Sequence, residues 1–270
     1  MSTTISASLV KELREQTGAG MMDCKRALEE TNGDLEAARV LLRERGMASA
    51  GKRAGRATTE GVVGFVIEDA RGSIAGLGCE TEPVSKNEEF LSFAESLLRA
   101  VQADGTGAVE GFEQERVELI ARLGENIVVA GAERFEAPEG NVLAGYTHPP
   151  ANKIGVLVEL RGGSAELARE LAMHISFAAP EWTTREEVPA EVVAAERAIY
   201  LNSDEVQSKP EAAREKIVDG MLGKRFFAAT PGGVLVDQAW IHEPSKTVGQ
   251  ALEEAGAAVV GFARVSVAGS

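Results

Sequence analysis

The sequence predicts an α+β protein, with a three-helix module at the N-terminus and two related subdomains built on antiparallel sheets. A helical hairpin is inserted late in the second subdomain. Two observations carry this reading. Apolar residues in the first 46 positions recur only at helical spacing, and beyond a Gly/Ala/basic stretch the period becomes that of strands. The order strand–strand–helix then occurs twice, at 61–140 and again from 141.

SASLVKELREQTG puts Leu9, Val10 and Leu13 on one helical face and stops at Thr17-Gly18. GMMDCKRALEETNG follows with Met21, Cys24, Ala27 and Leu28 at helical spacing, closed by Asn32-Gly33. Asp34 is the expected N-cap of a third helix carrying Leu35, Ala38, Leu41 and Leu42, with Gly46 expected just past its end. Such short connections require an antiparallel bundle over 1–46. Residues 47–60, MASAGKRAGRATTE, read as a flexible basic linker.

GVVGFVIED and GSIAGLGCE form a predicted hairpin, followed by the helix NEEFLSFAESLLRAV, the Gly-rich loop ADGTGAVEG, the helix EQERVELIARLG and the strand NIVVAGAERF. NVLAGYTHPP and KIGVLVELRGG repeat the hairpin, and SAELARELAMHISFAA repeats the helix. The second subdomain therefore covers 141–187 and 228–270. Residues 188–227 read as a two-helix hairpin, with Pro189 and Pro210 at helix starts. GGVLVDQAWIHEP leads back to a helix with the capping box Thr247-x-x-Gln250 and a last strand AAVVGFARVSV.

A formal charge of −14 disfavours direct contact with a nucleic acid backbone. The charge is uneven: residues 1–56 hold ten Lys/Arg against eight Asp/Glu, and the remainder 18 against 34. A basic module on an acidic body suits either a bipolar protein-binding surface or simple solubility. Two cysteines without a CxxC fit a reducing cytoplasm and offer no zinc pattern. No signal peptide is read at the N-terminus, and no apolar run approaches the roughly 18 residues of a membrane span.

GMASAGKR (46–53) matches the G-x4-G-K spacing of a phosphate loop but follows a helix, and Arg53 stands where Ser or Thr should hold magnesium. His148, His174 and His242 are scattered, so no metal site is expected. His174 lies in an apolar helix and suits a core or edge position. His148 suits a surface groove or a structural role. Nucleophile–base patterns are missing, so neither an enzyme nor a bound cofactor is expected.

CETEPVSKNEEF (79–90) crowds four carboxylates around Pro83 at a strand-to-helix junction. Ser85-x-x-Glu88 reads as a capping box, and Glu88 and Glu89 suit the positive end of the helix dipole. Glu80 and Glu82 have no such reason, which leaves a contact loop or a solvated acidic one.

The N-terminal pattern ALEETNGDLEAARVLL resembles a ubiquitin-associated-type module, usually a protein-binding unit. LVKELREQTGAGMMDCKRALEETNGDLEAA, CETEPVSKNEEF, LGENIVV, YTHPPANKIGVLVEL and EPSKTVGQALEEAGAAVVGF resemble, in order, the elongation factor Ts family. That family is the bacterial guanine nucleotide exchange factor of elongation factor Tu. The resemblance implies a cytoplasmic translation factor that binds elongation factor Tu in its GDP-bound and nucleotide-free states. Its N-terminal module would dock on the GTPase domain.

The family's Thr-Asp-Phe-Val loop approaches the magnesium and phosphate site of the partner. Here that loop is Thr81-Glu82-Pro83-Val84. The resemblance further implies partner contacts at Arg14, Cys24 and Lys25 in the module, Arg53 in the linker, and Leu123, Gly124 and His148 in the core. Glu82 lengthens the acidic side chain by a methylene. Pro83 replaces a phenyl ring that could bury about 150–250 Å² in a pocket, so the wedge should be weaker. Magnesium displacement would then be reduced or moved to other contacts such as His148. An elongation factor Tu-binding paralogue or chaperone with weak exchange activity is the alternative reading. For the 188–227 hairpin two roles stand open: a homodimer contact in a 2:2 complex, or a further partner contact.

Overall fold

The structure, a computed structural model, describes residues 5–267. The first four residues of the N-terminal module and the last three of the second subdomain lie outside the described residues.

The module is three helices, α1 (Ala7–Thr17), α2 (Met21–Glu30) and α3 (Leu35–Arg53). Ser6 caps α1 through its side chain, and Gly18 ends it in the left-handed region (φ 65°). Asp34 caps α3, accepting from the Ala37 N–H at 3.0 Å. Val10, Leu13, Cys24, Ala27, Leu28 and Ala38 form the buried core.

Two expectations fail here. Gly46 does not end α3, and residues 47–53 are helix rather than flexible linker. The reason is tertiary. Gly46 is buried, and a Cβ there would come 3.1 Å from the Ala121 Cβ, so glycine lets α3 lie against the core. Ala50 joins the core cluster containing Leu77 and Cys79.

The first subdomain runs β1 (Glu60–Glu68), β2 (Arg71–Cys79), a one-turn helix α4 (Glu82–Ser85), α5 (Glu88–Asp104), α6 (Glu113–Leu123) and β3 (Ile127–Glu136). The Gly-rich loop forms a 3-10 turn over Thr106–Phe112. The Ser85 capping box is also overturned: Asn87 caps α5, its Oδ1 accepting from Glu89 and Phe90. Ser85 closes α4 and donates its hydroxyl to the Glu82 carbonyl at 2.8 Å.

The second subdomain runs β4 (Asn141–Thr147), β5 (Ile154–Arg161) and α7 (Ala165–Ala178), capped by Ser164. The hairpin contains α8 (Ala190–Leu201), α9 (Asp204–Gln207), α10 (Glu211–Met221) and a π turn (Leu222–Phe227) around its own small core of Val206, Val218, Met221 and Leu222. At its base the Arg185 guanidinium lies 4.6 Å from the Phe227 ring centroid and donates twice to Asp237, at 2.8 and 2.7 Å. The chain returns through α11 (Val248–Glu254), where the Thr247/Gln250 capping box forms, and β6 (Ala258–Ser266).

Each subdomain holds one antiparallel sheet, β1-β2-β3 and β4-β5-β6. The sheets pack face to face over Val63, Ile74, Leu157, Ala263 and Val265. The opposite faces are covered by α5 and α6 on one side and by α7 on the other. Glycines make the close sheet contact possible. A Cβ at Gly155 would stand 2.5 Å from Val63 Cγ1, and one at Gly76 equally close to Val265 Cγ1.

Candidate functional site

The β2–α5 junction becomes a projecting turn because β2 ends at Cys79 and Pro83 sits in the first turn of α4. Thr81, Glu82 and Pro83 are exposed, while Val84 is partly buried against the core that contains Phe90 and Leu77. Glu82 pairs with Lys86 at 2.6 Å, and that bond holds its carboxyl below the usual range. An exposed pair of this kind contributes little stability.

What fixes the turn lies in LGEN (123–126), at the end of α6. Gly124 ends α6 in the left-handed region (φ 76°), which a glycine adopts without strain. The chain then presents Glu125 to the turn. Glu125 Oε2 accepts from the N–H groups of Glu80 (3.1 Å) and Thr81 (3.0 Å), and Oε1 accepts from the Thr81 hydroxyl at 2.5 Å. Glu80 answers in reverse: its Oε1 accepts from the Asn126 N–H at 2.6 Å. Arg56 approaches Glu80 at 3.5 Å, and its carbonyl accepts from Asn126 Nδ2 at 2.8 Å. Glu80 therefore has a structural role that sequence reading missed. Cys79 donates its thiol to the Thr81 carbonyl at 3.3 Å. Burial, and then the Glu125 charge, push that thiol up to about 12, so it stays protonated and a donor.

The predicted residues divide into groups. Leu123 and Gly124 join Thr81–Val84 through the Glu125–Asn126 latch. His148 is exposed in the β4–β5 loop, where its ring Nδ1 lies 3.1 Å from the Tyr146 hydroxyl. That loop reaches the same end of the sheets. The Asn152 carbonyl accepts from Val63 N–H at 2.7 Å, and Lys153 pairs with Glu60 at 2.5 Å, across from Cys79. Lys153 also helps to lower the Glu82 carboxyl.

Arg14 and Lys25 are exposed on the separate N-terminal module. Cys24, expected as a partner contact, is fully buried in the module's core and presents no surface; burial raises its thiol. Arg53 is partly buried at the end of α3, not carried on a flexible segment.

His174 is a core histidine. It lies 2.9 Å from Gln238 Oε1 and stacks on Trp240 with ring centroids 5.4 Å apart. Among the described residues no group of His, Cys, Asp and Glu is placed to hold a metal, and no helix is long and apolar enough to cross a membrane. The arrangement presents a short, exposed acidic turn tied to the core through the Glu125 carboxylate.

The chain matches known proteins along nearly its whole length. A family model described as Elongation factor TS matches residues 80–269, beginning one residue before the turn. The chain is 43% identical over 276 residues to the elongation factor Ts of Thioalkalivibrio sulfidiphilus, covering 98% of this chain and 92% of the relative. It is 42% identical over 273 residues to that of Idiomarina loihiensis (97% and 91%). It is 43% identical over 267 residues to that of Escherichia coli O139:H28 (97% and 91%). The chain belongs to the elongation factor Ts family. As a member of that family it is a translation elongation factor. The matched region takes in the turn and the whole of its Glu125–Asn126 latch. The N-terminal module falls outside the family model but within the span shared with the relatives.

Proposed function

We propose that this chain binds elongation factor Tu, GDP-bound and nucleotide-free, and promotes exchange of GDP for GTP by disturbing the partner's magnesium and phosphate site. The observation that carries this reading is the exposed Glu82-Pro83 step on a turn tied to the core by three hydrogen bonds to Glu125. Family membership supplies the partner.

The chemistry requires no bond to be made, so the protein is not an enzyme. An exchange factor prefers the nucleotide-free GTPase, and by linkage it weakens nucleotide binding by the same factor. Magnesium demands near-octahedral ligation at about 2.0–2.1 Å, so a small displacement of its ligands forfeits much of its affinity. A rigid turn suits that task, because a soft one would yield before the partner did. Leu123, Gly124 and His148 flank the turn as further contacts, and Arg14 and Lys25 dock the N-terminal module. The hairpin is left to a homodimer contact, in a 2:2 complex, or to a further partner contact.

Pro83 favours a second reading, a paralogue that holds elongation factor Tu with weak exchange, since a proline offers less apolar surface than a phenyl ring. Release of a fluorescent GDP from purified elongation factor Tu separates the two. The exchange reading expects accelerated release that rises further with Pro83→Phe. Binding without acceleration would establish the second reading, and an unchanged rate in Pro83→Phe would remove the wedge from the account.

A further inference from the structure

We propose that Glu125 is a positioning residue for exchange: its carboxylate sets the angle at which the Thr81–Val84 turn meets the partner, without touching the partner itself. The inference rests on the exchange reading above and adds the group that makes the turn effective.

Burial cannot fix this turn, since Thr81, Glu82 and Pro83 are exposed and only Val84 is tucked against the core. Local capping does not fix it either. Thr81 is the N-cap residue of α4, yet its side chain makes no capping bond to that helix. The hydroxyl instead points across to Glu125 Oε1 at 2.5 Å, 44 residues along the chain. The two backbone N–H groups that begin the turn, Glu80 and Thr81, converge on the other carboxylate oxygen.

Three donors on one carboxylate leave the turn little freedom to rotate. The carboxylate is itself held: α6 packs into the core through Leu119 and Ile120, and Gly124 ends it in one fixed conformation. Among the described residues Glu125 forms no ion pair within 4.0 Å, so the donors of the turn are its charge-stabilising partners. The reverse bond from Asn126 N–H to Glu80 closes a two-way latch. Charge-assisted bonds of this kind are the stronger class.

A fluorescent-GDP release assay, with elongation factor Tu·GDP titrated by each variant, tests this. Wild type comes first: acceleration by wild type sustains the exchange reading, whatever the variants do. Glu125→Ala is expected to lower the maximal release rate about tenfold, as a small misplacement of a working group does, with the half-saturating concentration within about twofold. Glu125→Gln, whose amide can accept from both N–H groups and donate to the Thr81 hydroxyl, is expected to stay within about threefold of wild type.

An unchanged maximal rate in Glu125→Ala overturns the proposal. So does a loss confined to half-saturation, which would make Glu125 a direct contact. Thermal unfolding of each variant accompanies the titrations. If Glu125→Ala does not fold, Glu125→Asp keeps the charge but shortens its reach to the turn by a methylene; a maximal rate lowered about threefold is then expected, and an unaltered one overturns the idea.

Discussion

The two subdomains follow one plan, strand–strand–helix, and depart from it in opposite places. In the first, β1 and β2 join through Asp69 and Ala70, while the strand-to-helix connection swells to residues 80–87 and holds the projecting turn. In the second, the strand-to-helix connection shrinks to Gly162, Gly163 and Ser164, and the hairpin loop lengthens to residues 148–153. Both enlargements come to one end of the sheet pair, where Lys153 meets Glu60. The shared parts build the scaffold, and the unshared parts form the exposed loops at one end of it. This is the usual division between rigid elements and functional loops.

The two subdomains depend on each other most where their sheets touch. Gly155 and Gly76 occupy the facing sheets, and each would collide with a short, branched valine if it gained a Cβ. Gly155→Ala and Gly76→Ala are each expected to destabilise by about 1–3 kcal/mol in chemical denaturation, because neither valine can swing away. Equal losses would make the interface one jointly packed unit, and a loss in only one would make the two sheets unequal partners.

Acid should separate the subdomains next. The first buries a pair that does not titrate near neutrality, Ser73 donating to Gln102 at 2.7 Å, whereas the second buries His174 against Gln238. Burial lowers the His174 pKa from its ordinary 6.5. Gln238 donates its amide to the carbonyls of Ala229 and Gly232, so its oxygen accepts from His174 Nε2–H. The neutral ring is the folded form, and the unfolded chain takes the proton more readily. Stability is therefore full above about pH 6.5 and falls below it, by at most about 1.4 kcal/mol per pH unit, until the folded-state pKa is reached. Denaturation midpoints between pH 7.5 and 5.5 should fall more steeply in wild type than in His174→Gln.

The smallest effects concern how each covering helix begins. Asn87→Ala and Ser164→Ala should each cost about 1 kcal/mol, read by thermal or chemical unfolding, because each removes a side-chain cap. Ser85→Ala should stay within about 0.5 kcal/mol, since its hydroxyl only closes the α4 turn.

These caps show how far the sequence can be read. Asp34 and the Thr247/Gln250 box are local signals and form as expected. Ser85-x-x-Glu88 is also a local signal, but Asn87 competes for the same helix start and wins once Pro83 opens a separate turn upstream. The α+β class and the antiparallel pairings follow from the change of period at residue 61. The face-to-face packing of the sheets does not, because it depends on which glycines lie opposite which valines. Gly46 looks like a stop in sequence and is a helix contact in space. Glu80 looks unoccupied in sequence because its partner, Asn126, lies 46 residues away.

The unbroken course of α3 has a consequence for how this chain tolerates change in length. A helix advances about 1.5 Å and turns about 100° with each residue. One residue inserted or deleted between 47 and 53 would swing the N-terminal module about a quarter of the way around the helix axis and carry Gly46 off Ala121. A flexible tether would absorb that change unnoticed; here the register of seven residues decides which way Arg14 and Lys25 face.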